Sequence, residues 1–336
     1  GDLFDQHNRT LKAEMFLKGQ FERLQKEQIF VYIAHGNHDP LSDQITSKWP
    51  ENVTVFSKDV ETYQAITKSG ENVHLHGFSY EKRESYENKI DLYPTNEDRQ
   101  TVHIGVLHGT YSKAETAHRY TEFRLEDLNA KLYHYWALGH IHKRQQLSDL
   151  PEIHYAGNIQ GRHFKEQGEK GCLIVEGDHV ALKTRFVPTQ FIRFESATIE
   201  IDSVSQQALF ERIQEFKDSV RHQGRAFYRL QINVHGDERI DAQVLEQVKT
   251  LVTEYEENER HFVMIDEWII NYLEITQTSI ANEFSEDLIA QDDVYERALS
   301  ELYMNPKASK YLDHYQKHDR KALIERCLLY TSPSPR

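Results

Sequence analysis

The sequence predicts an α/β fold in which helices and short strands build a layered domain, followed by a smaller α+β unit. Short β-forming runs alternate with helical patterns before Pro188, and residues 190–275 follow the order β-α-β-α-β. Three polar clusters directly follow predicted strands. We therefore divide the chain into a layered domain at 1–189, an α+β domain at 190–275, a helical segment at 276–326 and a disordered or non-native tail at 327–336.

The elements of the layered domain follow from the spacing of its apolar residues. These residues recur at helical spacing over 10–28, which predicts an amphipathic helix. Short apolar runs rich in β-forming residues predict strands at 29–34, 53–56, 63–66, 73–78, 102–107 and 133–138. A second helix is expected at 125–132. Residues 172–176 and 180–186 flank Gly177-Asp178, and this arrangement predicts a hairpin.

The α+β unit is predicted from a change in the hydrophobic period. Apolar and polar residues alternate over 228–234, which is typical of a half-buried strand. Strands are expected at 191–201, 228–234 and 261–273, and helices at 206–220, 244–255 and 284–326.

Composition limits the classes of protein to which the chain can belong. A formal net charge of -14 argues against a protein that coats nucleic acid through bulk positive charge. A nuclease stays open, because bound divalent cations offset carboxylates locally. The chain has no apolar run of about 18 residues, so no membrane-spanning segment is expected. Cys172 and Cys327 do not make a disulfide framework, which favours a reducing compartment and predicts a cytoplasmic location.

Four clusters of polar residues are the candidates for chemistry. They are Gly1-Asp2-Leu3-Phe4-Asp5, Gly36-Asn37-His38-Asp39, His108-Gly109 and Gly139-His140-Ile141-His142. Residues at the carboxyl ends of strands converge at one edge of a layered α/β fold. Carboxylate, amide oxygen and imidazole together suit manganese, iron or zinc, and two such ions can clamp a phosphate and activate a water. Each cluster alone is common in turns, but their joint occurrence in this order predicts a metal centre.

The order of these motifs resembles the calcineurin-like metallophosphoesterase superfamily. Within it, two stretches are similar to SbcD-type DNA repair nucleases, and to the bacterial YhaO-type exonucleases among them. They are Gly1-Asp2-Leu3-Phe4-Asp5 and Tyr155-Ala156-Gly157-Asn158-Ile159-Gln160-Gly161-Arg162 with Lys170-Gly171. The resemblance covers residues 1 to about 190 and implies a four-layer α-β-β-α sandwich. The unit at 190–275 is similar to the capping domain of that family in the order of its elements.

The resemblance implies two divalent metal ions, with manganese as the expected ion of a nuclease. Asp2 would be the carboxylate that bridges them. Asn37, His108 and His140 would complete one metal site, and His142 would serve the other.

The resemblance also implies roles next to the metals. His38 would lie over the phosphate, where it would stabilise charge or protonate the leaving oxygen. Asp5 would orient His38 through a hydrogen bond. Asp39 is expected to be structural, and Arg162 is a candidate for phosphate binding.

One departure from the family pattern concerns the first metal site. The family begins with a D-x-H motif on its first strand, and no residues precede Gly1 here. We therefore expect a copy truncated at its N-terminus, in which the first metal site is incomplete.

Three hypotheses about function follow. The first is a metal-dependent DNA exonuclease or endonuclease acting in DNA repair, with an SbcC-like coiled-coil ATPase as partner and a homodimer left open. The second is a phosphodiesterase or phosphatase that acts on a nucleotide or a phosphoprotein, because superfamily and chemistry do not determine the substrate. The third is an inactive module that binds a partner.

The chain contains 19 histidines, so most of them must be structural. His35 is expected to be a core or turn residue. His74, His76 and His103 lie in predicted strands and are expected to be packed or hydrogen-bonded. His154 and His163 flank the loop at 157–161, and for them both substrate contact and packing stay open.

Overall fold

The structure is a computed structural model that describes residues 1–5, 10–43, 48–84, 88–98, 100–112, 120–256 and 259–273. Its contacts divide the chain into two compact units. The first unit contains Gly1–Ser196, Gln223–Arg229 and Arg260–Ile265, and the second contains the remaining residues. The predicted boundaries at 189 and 275 stay a prediction.

The first unit begins with a helix and a small parallel sheet. Helix α1 (Leu11–Lys26) starts at Thr10, whose hydroxyl accepts a hydrogen bond from the Ala13 N–H at 3.2 Å. Strand β1 (Val31–Ile33) then pairs in parallel with β2 (Val53–Val55). Both strands and the helix lie within the ranges predicted from the apolar spacing.

The main sheet of the first unit has six strands. The elements that follow β2 are β3 (Glu61–Ile66), β4 (Asn72–Gly77), a 3₁₀ turn (Ile90–Leu92), β5 (Val102–His108), β6 (Thr110–Tyr111), β7 (Glu122–Phe123), α2 (Leu125–Asn129), β8 (Tyr135–Gly139), β9 (Gln145–Asp149) and β10 (Glu152–Tyr155). The strand order in the main sheet is β3-β4-β5-β8-β10-β9. The inner four strands run parallel, and the outer two pair antiparallel with their neighbours. The chain therefore has the mixed α/β character that the sequence predicts.

The register of the main sheet brings polar residues to one edge. His108, the last residue of β5, lies opposite Gly139, the last residue of β8. Beneath this edge Trp136 is fully buried, and its ring stacks on Tyr133 with centroids 4.9 Å apart. A Cβ at Gly105 would lie 2.2 Å from the Trp136 ring, so only glycine leaves room for the indole. The edge thus rests on a tightly packed core.

An antiparallel hairpin follows the main sheet. It consists of β11 (Gly171–Gly177) and β12 (Leu182–Pro188), and the turn contains the predicted Gly177-Asp178 pair. The Asp178 carboxylate accepts hydrogen bonds from the N–H groups of Val180 and Ala181, which stabilises the turn.

The last described elements reproduce the predicted β-α-β-α-β order. They are β13 (Arg193–Ile201), α3 (Gln206–Arg221), β14 (Ala226–His235), α4 (Ala242–Glu256) and β15 (Val263–Leu273), and the strand order is β13-β14-β15. In the second unit α3 and α4 are joined by a buried ion pair, in which Lys217 Nζ lies 2.7 Å from Glu256 Oε1.

Some predictions differ from the structure or lie outside it. The sequence did not predict β9 or the two-residue strands β6 and β7, because polar or very short segments carry little periodic signal. The helical segment expected at 276–326 and the tail at 327–336 lie outside the described residues. None of the helices in the described ranges combines the length and the apolar character that crossing a membrane requires.

Candidate metal centre

Four predicted ligands meet at the edge of the main sheet. The Oδ1 atom of Asn37, in the loop after β1, lies 2.9 Å from His108 Nε2 and 3.1 Å from His140 Nδ1. Asp2 Oδ2 lies 3.3 Å from the same His108 nitrogen. Three strand ends and the segment at residues 1–5 therefore place oxygen and nitrogen donors around one point.

The glycines of these motifs allow this close approach. A Cβ at Gly1 would lie 2.6 Å from His108 Nδ1, and a Cβ at Gly139 would lie 3.0 Å from it. A Cβ at Gly36 would lie 2.3 Å from Asp2 Oδ1 and 2.5 Å from His108 Cε1. A methyl group at Gly1 or Gly36 would overlap the site itself, which explains why glycine precedes the ligand in these motifs.

His140 has an unusual backbone conformation. Its φ is +100°, a value that L-residues with side chains rarely adopt. The turn occurs directly after β8 ends and accompanies the approach of the His140 ring to Asn37. Tyr120 packs on the same ring, with centroids 4.6 Å apart. The residue with the strained backbone, His140, is therefore itself a candidate metal ligand.

Burial sets the protonation states of the cluster. It lowers the pKa of His108 well below its ordinary value, and it lowers the pKa of His140 to about 4, with further effects from His142 and His38. Both imidazoles are neutral near pH 7 and can offer a lone pair. Burial also raises the pKa of Asp2, although the hydrogen bond from the His38 N–H opposes this effect.

These residues fit a divalent metal ion. Ligand atoms about 2.0–2.2 Å from one ion are about 3.0–3.6 Å from each other, close to the separations measured here. Ligand atoms of Asp2, His108 and His140 all lie within 4.8 Å of one another. A cation would also offset the electrostatic cost of the partly buried Asp2 carboxylate, whose pKa is raised by desolvation.

Asp39 organises the backbone beneath the cluster. Its Oδ1 accepts hydrogen bonds from the N–H groups of Asp2 (3.0 Å) and Gly36 (2.8 Å), and its Oδ2 accepts one from Leu3 (2.9 Å). Buried His35 lies 3.0 Å from the same carboxylate. Asp39 therefore ties two of the motifs together, and His35 is a core residue.

The predicted acid–base pair lies next to the cluster. His38 Nδ1 is 3.3 Å from Asp5 Oδ1, and both side chains are partly exposed. Arg162 Nη1 lies 3.5 Å from Asp5 Oδ2 and its side chain is 49% exposed, so a ligand in solvent can reach it. The three predicted residues are thus brought together beside the candidate metal ligands.

Comparisons with known proteins show the family to which the chain belongs. The chain is 41% identical over 228 residues to the uncharacterized metallophosphoesterase YhaO of Bacillus subtilis. The aligned region covers 67% of this chain and 56% of that protein. The chain belongs to the metallophosphoesterase family. Members of this family are hydrolases.

A second relative is more distant. The chain is 27% identical over 148 residues to the DNA double-strand break repair protein Mre11 of Methanocaldococcus jannaschii. The aligned region covers 43% of this chain and 39% of that protein. The chain spans about half or less of the length of the two curated relatives it matches. No protein-family model matches it.

His142 is not part of the Asn37-centred cluster in this metallophosphoesterase. Its Nδ1 lies 2.6 Å from Glu166 Oε1, which leaves Nε2 as the ring nitrogen for a metal. Glu166 is buried, and it also accepts hydrogen bonds from Arg162 and from Asn158 Nδ2 at 2.9 Å. Burial would raise the pKa of Glu166, but the hydrogen bonds from Arg162 and His142 outweigh it and lower the pKa to about 2.

Sequence reasoning missed Glu166. A ligating histidine usually shares its second nitrogen with a carboxylate or a carbonyl, which is a signal that such a partner should exist. Glu166 and Glu169 lie in the same loop, however, and the sequence alone does not distinguish them. The Asn158–Gly161 stretch supports this loop, because Asn158 Nδ2 donates a hydrogen bond to Glu166 Oε2 at 2.9 Å.

Several other described histidines of the first unit have contacts of their own. His154 is buried, stacks on Tyr135 and lies 3.2 Å from Glu152, whereas His163 is exposed. His76 and His103 are buried and contact each other, as expected of packed or hydrogen-bonded residues.

Proposed function

We propose that this chain is a manganese-dependent DNA nuclease of the SbcD type, which hydrolyses phosphodiester bonds in DNA repair. The observation that carries the proposal is the convergence of Asp2, Asn37, His108 and His140 on one point, with His38 beside them. The metallophosphoesterase relative supports the reaction type, and the similarity to a DNA double-strand break repair protein supports DNA as substrate.

Two divalent ions are proposed, and a ligand set that combines carboxylate and amide oxygens with imidazole suits manganese. Asn37, His108 and His140 would hold one ion, Asp2 would bridge, and His142 would serve the other through Nε2. Bound ions would stabilise charge on the phosphate and lower the pKa of a water molecule. Among the four motifs, the ion served by His142 has His142 and Asp2 as ligands, and the D-x-H motif of the family would supply its further ligands.

The acid–base step is assigned to His38. Asp5 contacts Nδ1, so Nε2 is the nitrogen that can donate a proton to the leaving oxygen. Arg162 would contact a phosphate oxygen with the part of its guanidinium that faces solvent, while Asp5 and Glu166 hold its position.

The wider organisation of the protein is part of the proposal. The main sheet would belong to a four-layer α-β-β-α sandwich, and the α+β unit at 190–275 would be a cap that restricts access of DNA to the site. A coiled-coil ATPase of the SbcC type would be the partner. The cysteine pattern supports a location in the cytoplasm.

The test is degradation of end-labelled duplex DNA in the presence of Mn²⁺, by a version of the protein that also carries the D-x-H motif. Hydrolysis should stop when the metal is chelated, and His38→Ala should lower the rate about 10²–10⁴-fold because the proton donor is lost. His235→Gln is the matched control, since His235 is a partly exposed histidine paired with Glu200. The control should cleave DNA at the rate of the unmodified protein.

The outcomes separate the three hypotheses about function. Hydrolysis of a generic phosphodiester without cleavage of DNA would keep the metal centre and move the substrate to a nucleotide or phosphoprotein. Absence of both activities in folded, manganese-loaded protein would refute catalysis and favour a binding module.

A further inference from the structure

A second group of histidines lies near the opposite end of the main sheet. His74 and His76 are on β4, and His103 is near the start of β5. His74 is the register partner of His103, and His76 follows His74 by two residues. Side chains two residues apart on a strand point to the same face, so the three imidazoles face each other.

The spacing of the three rings suits one metal ion. One ring nitrogen from each histidine lies within 4.8 Å of one ring nitrogen of each other histidine. His76 Nε2 and His103 Nδ1 are only 3.0 Å apart, and the His74 and His103 ring centroids are 4.9 Å apart. Nitrogens bound to one tetrahedral zinc ion are about 3.3 Å apart, so small side-chain shifts would complete the geometry.

A hydroxyl group orients one of the rings. Thr62 Oγ1 on β3 lies 2.8 Å from His76 Nδ1. When His76 donates from Nδ1 to this oxygen, the lone pair of Nε2 points to His103. A partner on the second ring nitrogen is the usual device that sets the tautomer of a metal-binding histidine.

One buried ring nitrogen of the cluster has no hydrogen-bond partner among the described residues. This atom is Nε2 of His103, a residue that is only 6% exposed. In either tautomer of the His76–His103 pair, one buried nitrogen stays unsatisfied. An unsatisfied buried group of this kind is explained by an ordered water or a bound ion.

The protonation states permit binding. Burial lowers the pKa of His76 to about 3 and that of His103 to about 4, and the neighbouring histidines lower both further. The rings are therefore neutral near pH 7, as metal ligation requires.

We propose that His74, His76 and His103 form a second metal site, which binds zinc or a similar borderline cation with water as the fourth ligand. His103 and His108 are five residues apart on one strand, or about 16 Å, so the two sites are separate. Ligation by imidazoles alone favours zinc, copper or nickel over manganese. An ion here would tie β4 to β5 and stabilise the sheet, independently of any hydrolytic activity.

The test measures zinc per chain in full-length protein, stripped with chelator, reloaded with Zn²⁺ and gel-filtered. The His140→Ala background removes a ligand of the Asn37-centred cluster and lowers zinc binding there. This protein should retain about one zinc ion, and adding His74→Gln should remove it. His235→Gln in the same background is the control and should leave the zinc content unchanged.

A second variant keeps the test valid if His74→Gln fails to fold. Thr62→Val preserves shape but removes the hydroxyl that orients His76, so zinc affinity at this site should fall about 10–100-fold. Zinc should raise the thermal midpoint of the His140→Ala protein, and Thr62→Val should reduce that rise. Absence of zinc in folded His140→Ala protein, or zinc content and affinity insensitive to both variants, would overturn the proposal.

Discussion

Two H-x-H pairs, one within a strand of the main sheet and one just beyond a strand end, make different contacts. His74 and His76 lie within the regular strand β4 and approach a common partner, His103. His140 and His142 lie just beyond the end of β8, where His140 has a positive φ and contacts Asn37 while His142 contacts Glu166. An identical spacing thus gives one shared cluster inside a strand and two separate contacts at a strand end.

This difference shows that the conformation of the backbone determines which side chains can meet at a site. Regular extended backbone sends alternate side chains to one face, so a strand can combine imidazoles only with what its neighbour strands present. A strand end opens to loops, which bring the Asp2 carboxylate and the Asn37 amide to the histidines. The strand end therefore forms an oxygen-containing site, and the strand interior forms a site of nitrogen alone.

The largest expected effect is the difference in hydrolysis between a variant of the Asn37-centred cluster and a variant of the His74-His76-His103 cluster. His140→Ala should lower phosphodiester hydrolysis by about 10³-fold, because several kcal/mol of charge stabilisation in the transition state are lost. His76→Ala should leave kcat within about twofold, since that ring stacks on His103 and Tyr133 inside the sheet. The measurement is the hydrolysis rate per folded chain in Mn²⁺. Equal loss in both variants would contradict the separation of the clusters.

The glycine in front of Asn37 gives the second largest effect. Gly36→Ala should reduce hydrolysis about 10²-fold, because the new methyl group would displace Asp2 and His108. Gly19→Ala is the control, since a Cβ at this position of α1 meets nothing within 4 Å. The control should keep full activity and raise the free energy of unfolding by about 0.5–1 kcal/mol. Full activity of Gly36→Ala would disprove the close approach.

A smaller effect is expected at the residue that holds His142. Glu166→Gln should lower hydrolysis about 10–100-fold, because His142 and Arg162 lose a charged partner that orients them. Glu169→Gln, an exposed change in the same loop, is the control and should be neutral. The ratio of the two rates measures the contribution of Glu166, and a ratio near one would show that His142 is oriented by other means.

The smallest expected effect is the difference in thermal midpoint between protein loaded with Mn²⁺ and protein loaded with Zn²⁺. After chelation, Mn²⁺ should restore hydrolysis, whereas Zn²⁺ should raise the thermal midpoint by a few degrees, as expected for a ligand that binds only folded protein. Both quantities are measured on the same samples. If Mn²⁺ raised the midpoint as much as Zn²⁺ at equal concentration, the chemical distinction between the two sites would be lost.

Much of the fold was predictable because its signals are local. The apolar spacing over 10–28 predicted α1, and alternation over 228–234 predicted β14. The polar strand β9 escaped prediction, since Gln145 to Asp149 has no apolar alternation. The pairing of β1 with β2 in a sheet of their own was also beyond the sequence, because strand order depends on contacts between distant segments.

The sequence by itself determined the types and order of the candidate ligands, from Asp2 to His142, and the placement of all of them except Asp2 at strand ends. Only the tertiary structure decided that Asn37 contacts both His108 and His140, that Glu166 rather than Glu169 holds His142, and that His74 and His76 meet His103. Secondary structure follows from interactions between near neighbours in the chain, whereas the partner of a side chain depends on strand register and loop packing, which the whole chain sets together.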